Sequence, residues 1–506
     1  MTQIRRIVCC LTLCSLIATV HVSAGELIWP DSRAAEIARE YIDSFNSNDF
    51  ETLRDFAAKY RSEKALAERS ADARAERRLQ MFQQIGLLIP VVITKEKSDS
   101  LTLKCRAGSD GLWLRVKVKL QDEAPHKLAY VEMAPTSAPA PKEDELLDDR
   151  NQTVSLAAVL ETVRKESGAP GLAAVVIEGG EVVDLAVAGL RSMDSADPIK
   201  PTDRWHIGSI SKSITATMIG SLVEQDVLRW ETTIGDVLGE LPMNEAYRGV
   251  TVAQLLRHRG GFAPYTVVDE EEEQRLAGHP GSPGEQRERF VKQLLLEKPA
   301  GDIGEFLYSN AGYTVVAHMA ERLAAKEWAS LLKDHVFGPV GMTRAGTGWP
   351  AALGRSNEPR GHRSDGGEYR PQPLTEAELG AYLAPARDLH MSIGDLASYA
   401  IAHLNGLAGS DGFLRAETIR YLHQPRDDTE SYACGWMLSE SGHGRVHGHA
   451  GSAGTCFAQL EIFPESMRGI VVVTNIGLEG AGLGQRVSEL VRQRWSSPAE
   501  TGRSHR

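Results

Sequence analysis

Hydrophobic and polar positions follow a helical period in the first part of the chain and a strand period after it. Between residues 31 and 88 apolar side chains recur every three or four positions, which is typical of amphipathic helices. The charged, alanine-rich stretch at 61–78 is predicted to be a solvent-exposed helix face. Four short β-rich runs separated by turn residues then occupy 91–133. Helices followed by a strand meander predict a small α+β domain over 31–135.

A second pattern begins beyond a predicted linker at 136–152, where proline, serine and alanine give way to acidic residues. One helix comes first, followed by two strands at 171–178 and 182–189 that are joined by a Gly179-Gly180 turn. Helical patterns then dominate from Ser209 to about Leu404, and strand patterns return between residues 432 and 476 before a last amphipathic helix. This order predicts one three-layer α/β unit over 153–495.

The two ends of the chain are predicted to lie outside these domains. Two arginines precede an apolar run at 7–20, and small residues follow it, which is the layout of a secretory signal peptide over 1–24. The apolar run is shorter than the ~20 residues that a membrane span needs, so a permanent anchor is disfavoured. We therefore expect a secreted or periplasmic protein without stable membrane insertion after signal cleavage. Residues 496–506 are predicted to be a disordered tail.

Composition narrows the class of protein. A chain of 506 residues with 42% hydrophobic and 25% charged residues is typical of globular domains, and its formal charge of −12 argues against a nucleic-acid partner. Only Cys105, Cys434 and Cys456 remain after the signal, too few for a disulfide framework. Cys434 and Cys456 either pair across neighbouring strands or stay buried as thiols, and we favour the thiols. Thiolate zinc sites are excluded because the mature sequence has no C-x-x-C.

One spacing points to nucleophilic catalysis. Ser209 and Lys212 stand three positions apart, so on a helix they share a face with ~5–6 Å between their Cβ atoms. Ser209 is predicted in the first turn, where free N–H groups favour negative charge, and an amine can remove its hydroxyl proton. A second S-x-x-K, Ser330 to Lys333, is assigned to chance, because about one or two copies are expected in a chain of this length.

The order of three motifs distinguishes the first copy. Tyr308-Ser309-Asn310 is the only Y-x-N in the chain, and Gly448-His449-Ala450-Gly451 precedes a predicted strand. This order resembles that of the serine β-lactamase and penicillin-binding-protein superfamily. Four further segments resemble its class C, esterase and DD-peptidase branch, and they are 255–262, 337–342, 432–436 and 471–475.

The resemblance covers 153–495 and implies a fold with a central antiparallel sheet and a helical subdomain. The smaller domain resembles the cone-shaped NTF2-like domains, through its element order and the segment 41–49.

The resemblance also implies roles. Ser209 would be the acylated nucleophile, and Lys212 and Tyr308 the pair that handles its proton. We favour Tyr308 as the base, because a cationic lysine neighbour favours phenolate, although which group takes the first proton stays open. Asn310 would bond the substrate amide or orient Lys212.

Backbone groups complete the implied site. The N–H groups of Ser209 and Ser452 would form the oxyanion hole. Gly451 and Gly454 would let the strand approach the substrate closely.

Two departures from the family pattern bear on the substrate. His449 stands where β-lactamases usually have lysine, which removes a permanent cation and points to peptidases or esterases, although His449 could itself carry a proton near neutral pH. Arg259 adds a cation near the expected cleft entrance, where it either binds a carboxylate or pairs with the acidic run at 269–273.

A metal at the histidines near His449 is disfavoured because no acidic or cysteine ligand adjoins them. Trp205 and Trp436 are predicted to be core residues rather than a substrate platform.

Together these features predict a serine hydrolase that forms an acyl-enzyme on an ester, amide or D-amino-acid peptide, without metal or cofactor, rather than a true β-lactamase. The alternative is a non-catalytic penicillin-binding-like sensor or scaffold on the same fold. The expected partner is a small-molecule or peptide substrate. The domain at 31–135 would recruit a protein partner, mediate dimerisation or hold a ligand.

Overall fold

A computed structural model describes residues 29–85, 88–107, 113–121, 124–135, 155–266, 281–352, 357–365, 368–374, 380–427 and 430–496. The chain divides into two compact units, whose described parts lie within 29–106 and 113–135 for the first and 155–496 for the second. The predicted signal peptide, the whole predicted linker and the residues after 496 lie outside the described residues. Ser496, the first residue of the predicted tail, is the last residue of a helix.

The smaller unit consists of helices followed by a sheet, as its two hydrophobic periods predict. Its helices are Arg33–Asn46, Phe50–Tyr60, Glu63–Glu68 and Ala71–Ile85. Its strands are β1 (Leu88–Lys97), β2 (Ser100–Ala107), β3 (Trp113–Leu120) and β4 (Leu128–Pro135), and they lie in that order in one sheet. Along β3 the apolar positions Leu114, Val116 and Val118 are buried, because alternate side chains of a strand point to the same face.

The stretch predicted to be a solvent-exposed helix face is exposed only in part. Arg61 and Arg78 are 8% and 9% exposed. Arg61 donates to the backbone carbonyls of Leu128 and Ala129, and the Arg78 guanidinium lies 4.9 Å from the centroid of the Tyr41 ring. Long side chains can bury their apolar stems while their charged ends find partners, so a charged stretch need not lie in water. The NTF2-like identity of this unit stays a prediction.

The larger unit has the predicted mixture of strands and helices. Its strands are β5 (Gly171–Glu178), β6 (Glu181–Gly189), β7 (Arg204–His206), β8 (Gly346–Thr347), β9 (His362–Asp365), β10 (Glu368–Pro371), β11 (Leu389–Ser392), β12 (Met437–Ser441), β13 (Gly444–Ser452), β14 (Phe457–Phe463) and β15 (Arg468–Thr474). Its α-helices are Leu156–Ser167, Ser211–Glu224, Ile234–Leu238, Glu245–Arg248, Val252–Leu256, Pro283–Leu296, Asn310–Ala324, Trp328–Leu332, Gly338–Val340, Ala384–Arg387, Ile393–Leu407, Ala416–Leu422 and Gly480–Ser496. Short 3₁₀ turns occupy Gly208–Ile210, Ala381–Leu383 and Pro464–Ser466, and a π-helix occupies Lys333–Phe337.

A central antiparallel sheet separates two helical layers. Its strand order is β12-β13-β14-β15-β5-β6, and each neighbouring pair is antiparallel. Odd positions of β5 such as Ala173 and Val175 pack into the larger core with the helices of the insertion. Even positions such as Leu172 and Ala174 pack against the helices Leu156–Ser167 and Gly480–Ser496 on the other face. The predicted three-layer α/β fold is therefore confirmed.

The long insertion is less purely helical than its pattern predicts. It contains β8 and β11, which form a small sheet with β7 just before the insertion, and it also contains the hairpin of β9 and β10. These strands are two to four residues long, too short for a two-residue period to stand out in the sequence. In this sheet His206 pairs with His390, which brings the chain near residue 388 beside the predicted nucleophile. Within the described part of the chain, no helix is both long and apolar enough to span a membrane.

Candidate active site

Ser209 lies in the 3₁₀ turn Gly208–Ile210, just before the helix that begins at Ser211 rather than in its first α-turn as predicted. Gly208 has a φ of +50°, a conformation that favours glycine and turns the chain sharply from β7 into the helix. Ser209 is half-buried while Gly208 and Ile210 are buried. The turn therefore exposes the one side chain that is predicted to attack the substrate.

Lys212 is fully buried beneath Ser209. Its Nζ is hydrogen-bonded to Ser209 Oγ at 3.1 Å and to the backbone carbonyl of Ala386 at 3.0 Å. Burial, which penalises the ammonium form, and then repulsion from Arg387 hold the pKa of Lys212 well below its usual range. A lysine whose pKa is lowered in this way can present a neutral amine with a free lone pair to a hydroxyl proton.

Tyr308 lies on the other side of the same amine. The centroid of its ring is 4.7 Å from Lys212 Nζ, and the neighbouring Ser209 side chain favours the ionised form of its hydroxyl. Burial raises the pKa of Tyr308, and the interaction with Ser209 offsets only part of that rise. The pKa directions of the pair thus favour neutral amine and neutral phenol, the reverse of the expected cationic lysine beside phenolate. Burial disfavours the charged form of both groups.

The backbone of the third motif, residues 448–451, packs directly against the 3₁₀ turn Gly208–Ile210, which we call the nucleophile turn. A Cβ added to Gly451 would overlap the carbonyl oxygen of Ile207 and the amide nitrogen of Ser209, and a Cβ added to Gly208 would overlap the amide nitrogen of Ser452. The two N–H groups predicted to form the oxyanion hole are therefore brought side by side by close contact of two glycine backbones.

Gly454 differs from Gly451. It has a φ of +87°, and a Cβ added there would have no atom within 4 Å. The positive φ accounts for a glycine in the turn between β13 and β14, and the close approach of Gly454 to a substrate stays a prediction.

Asn310 begins the helix Asn310–Ala324, whose N-cap, Ser309, accepts the N–H of Gly312. The Asn310 amide nitrogen donates to the Tyr265 carbonyl at 2.8 Å. Among the described residues Asn310 Oδ1 has no hydrogen-bond partner, although the side chain is nearly buried. Two roles were expected of Asn310. The Ala386 carbonyl rather than Asn310 is hydrogen-bonded to Lys212, and the unpaired Asn310 Oδ1 is placed to accept a hydrogen bond from a substrate N–H.

His449 lies on β13 and is 4% exposed. Its Nδ1 donates to the Ala450 carbonyl at 2.6 Å, and its Nε2 lies 3.3 Å from the Tyr432 hydroxyl. Burial, together with repulsion from Lys212, lowers the pKa of His449 to about 3. The expectation that His449 could carry a proton near neutral pH is therefore wrong, because a buried imidazolium loses its hydration.

Arg259 is buried rather than directed at a ligand. It forms an ion pair with Glu430 and also donates to the Gly304 carbonyl. The acidic run at 269–273, its alternative predicted partner, lies outside the described residues. Glu430 could not be identified from the sequence, because 171 positions separate it from Arg259.

Sequence reasoning missed a histidine–carboxylate pair behind the nucleophile. His206 is fully buried, its Nε2 donates to Asp388 at 2.9 Å, and its Nδ1 accepts the N–H of Gly208 at 3.2 Å. Asp388 follows Ala386, which anchors Lys212, by two positions. The pair therefore links the nucleophile turn to the segment that holds the amine. Only the position of His206 next to Gly208-Ser209 was visible in the sequence.

Several secondary predictions are resolved. Ser330 and Lys333 are exposed, which agrees with a chance match. Trp205 and Trp436 are buried core residues, and Cys434 and Cys456 are buried free thiols, as predicted. In the part of the chain that the structure describes, no group of three His, Cys, Asp or Glu side chains converges as metal ligands would.

Comparison with known proteins identifies the family of the larger unit. The family model for Beta-lactamase matches residues 156–488. Penicillin-binding protein 4 of Amycolatopsis lactamdurans is 26% identical over 338 residues, which cover 63% of this chain and 84% of that protein.

Solved structures share the fold. A class C beta lactamase from Rhodobacter sphaeroides superposes with a TM-score of 0.53 at 20% identity, and the match covers 67% of this chain and 99% of that one. The D-amino acid amidase from Ochrobactrum anthropi SV3 superposes with a TM-score of 0.55 at 19% identity, covering 67% of this chain and 98% of that one. The family match spans about two thirds of the sequence and includes all three motifs. This chain therefore belongs to the beta-lactamase family of serine hydrolases.

Proposed function

We propose that this protein is a serine hydrolase that acylates Ser209 with an ester, an amide or a D-amino-acid peptide. The observation that carries the proposal is the 3.1 Å hydrogen bond between the half-buried Ser209 hydroxyl and the fully buried Lys212 amine, whose pKa is lowered. A serine hydroxyl becomes a nucleophile only when a neighbouring base takes its proton, and a desolvated amine is such a base.

Acylation follows from these groups. Lys212 Nζ takes the hydroxyl proton as Ser209 Oγ forms a bond to the substrate carbonyl carbon. The carbonyl oxygen becomes negative and is stabilised by the N–H groups of Ser209 and Ser452. As the bond to the leaving group breaks, the leaving oxygen or nitrogen receives the proton held by Lys212, relayed by the hydroxyl of Tyr308, whose ring lies beside the Lys212 amine and whose side chain interacts with Ser209. Water then hydrolyses the acyl-enzyme with the same groups acting in reverse.

Ester or peptide chemistry is favoured over true β-lactamase activity. β-Lactamases of the family usually place a lysine where this chain has His449, and the low pKa of His449 leaves that position neutral. The D-amino acid amidase that shares the fold supports a substrate of this kind, as does the penicillin-binding relative.

Covalent labelling tests the proposal. A fluorophosphonate probe is expected to add to the wild-type chain once, at Ser209, and not to Ser209→Ala. A matched serine control is Ser330→Ala, at the exposed second S-x-x-K, which should label normally. The absence of any Ser209-dependent adduct would favour a non-catalytic sensor or scaffold. Cephalosporin turnover far above that of simple esters and D-peptides would overturn the preference among substrates.

A further inference from the structure

A chain of hydrogen-bonded side chains lies behind the third motif and ends on a backbone group at each end. The N–H of Ser309 donates to His258 Nδ1 at 3.0 Å, and His258 Nε2 lies 3.1 Å from the Tyr432 hydroxyl. That hydroxyl lies 3.3 Å from His449 Nε2, and His449 Nδ1 lies 2.6 Å from the Ala450 carbonyl oxygen. The chain thus joins the Y-x-N motif to the third motif.

The two backbone ends determine where every proton in this chain lies. A backbone N–H can only donate, so His258 accepts at Nδ1 and, as a neutral ring, donates from Nε2 to Tyr432. A backbone carbonyl can only accept, so His449 donates from Nδ1 and accepts at Nε2. The Tyr432 hydroxyl therefore receives a hydrogen bond from His258 and gives one to His449. Neither ring can adopt its other tautomer without breaking a bond to the backbone.

This arrangement also opposes a charge on His449. A proton on Nε2 would face the Tyr432 hydroxyl, which would then have to give up its hydrogen bond to His449 and turn its hydrogen towards the Tyr313 hydroxyl, the other group that interacts with it. His258, Tyr432 and His449 are each less than a tenth exposed, so water does not replace the lost bond. The neighbouring Tyr313 hydroxyl already donates to the Leu256 carbonyl.

His449 consequently has no N–H left for a substrate, since both ring nitrogens are bonded within the protein. Arg259 and Arg426 do not replace the cation that β-lactamases usually have at the position of His449, because both arginines pair with Glu430. Phe306, whose ring centroid lies 5.7 Å from that of Tyr432, is half exposed. The described surroundings of His449 are therefore neutral and partly apolar.

We propose that Tyr432 and His258 are specificity-determining positioning residues that hold His449 neutral with both nitrogens occupied. The site then favours esters and amides that are uncharged where they meet His449 and rejects those that carry a carboxylate there. This inference rests on the proposed function and names its substrate class. A carboxylate brought against a ring without a free donor would be desolvated without a partner.

The tautomer can be measured directly. In protein labelled with ¹⁵N-histidine, the His449 resonances are assigned by their loss in His449→Gln. We expect a neutral ring protonated at Nδ1 at pH 7. Tyr432→Phe should move the Nε2 resonance by removing its donor, whereas the matched Tyr399→Phe, which removes a buried hydroxyl bonded to Thr217, should leave it in place. A cationic His449, or one protonated at Nε2, would overturn the inference.

Matched esters test the selectivity. One pair is p-nitrophenyl butyrate and mono-p-nitrophenyl succinate, with the carboxylate on the acyl side. The other is phenyl butyrate and 3-carboxyphenyl butyrate, with the carboxylate on the alcohol side. In at least one pair the wild-type kcat/KM should be about tenfold or more higher for the uncharged ester. Tyr432→Phe should narrow the ratio of the two kcat/KM values about fivefold, which corresponds to one lost hydrogen bond, and Tyr399→Phe should not.

The outcomes separate the two proposals. Equal turnover of charged and uncharged esters, with Ser209-dependent activity intact, overturns the inference and leaves the proposed function standing. An unchanged ratio in Tyr432→Phe also overturns it. Absence of Ser209-dependent turnover of all four esters, together with absence of a fluorophosphonate adduct, overturns the proposed function itself.

Discussion

Gly451→Ala isolates the contact between the third motif and the nucleophile turn. Gly451 does not have a positive φ, so alanine is not strained there by its backbone. The added Cβ would instead lie about 1 Å closer to the Ile207 carbonyl oxygen and the Ser209 amide nitrogen than the ~3.5 Å of an ordinary contact. Both neighbours are backbone atoms, so the turn or the strand has to move by a similar distance.

The expected result is a loss of rate that exceeds the loss of stability. A displacement of about 1 Å between reacting groups can cost about 10²-fold in rate, so kcat for ester hydrolysis should fall by that order. Overpacking of this kind typically costs about 1–3 kcal/mol of folding free energy. Steady-state kinetics with a p-nitrophenyl ester and thermal unfolding of the same samples measure the two effects.

Gly454→Ala is the matched control. Its φ of +87° makes alanine unfavourable by about 1–2 kcal/mol, but no atom lies near the added Cβ. The control should therefore lose similar stability and keep kcat within a few-fold of the wild type. If Gly451→Ala retained kcat as well as Gly454→Ala does, close packing of the two glycine backbones would not be what positions the oxyanion N–H groups.

Three further predictions follow from buried titratable groups. Lys212→Met should lower kcat by about 10²–10⁴, and Lys212→Arg should not rescue it, because a guanidinium keeps its proton; rescue by arginine would refute the role of Lys212 as the base. Burial lowers the pKa of His403 to about 3 and of His447 to about 4, so both rings stay neutral in the folded state at a pH where the unfolded chain binds protons. The free energy of unfolding should therefore be highest above pH ~6.5, and between pH 6.5 and 5 it should fall by up to about 2 kcal/mol for each histidine. Thermal unfolding across this pH range should show the loss of stability, and His403→Gln should make stability depend less on pH. An unchanged dependence on pH would contradict the lowered pKa of His403. Burial raises the pKa of Cys434 to about 11 and of Cys456 to about 12, so both thiols should react with a disulfide reagent only on unfolding, and rapid labelling of the native protein would count against their burial.

The elements that the sequence predicted well are those with long periodic patterns. The two strands of the Gly179-Gly180 hairpin were expected at 171–178 and 182–189, and the structure has them at Gly171–Glu178 and Glu181–Gly189. The helix Leu156–Ser167 buries the apolar stripe that its sequence displays. Local rules suffice for such segments, because their side chains must face one core whatever the rest of the chain does.

The errors share one cause. β7 and β11 have three and four residues, and they form by pairing with segments far along the chain, β7 with β11 and β11 also with β8. Arg61 carries a charge in a charged stretch, yet it is buried against carbonyls of a distant strand. Short strands and buried charges depend on partners far along the chain, which a local pattern does not contain.

The sequence by itself determined the family, the order of its motifs and which serine and lysine are proposed as nucleophile and base. Ser209 and Lys212 are three positions apart, so a helical turn brings them together without reference to the rest of the fold. The protonation of the site was decided by tertiary structure alone. Lys212, Tyr308 and His449 prefer their neutral forms because distant segments enclose them, and the cost of burying a charge depends on that enclosure rather than on spacing along the chain.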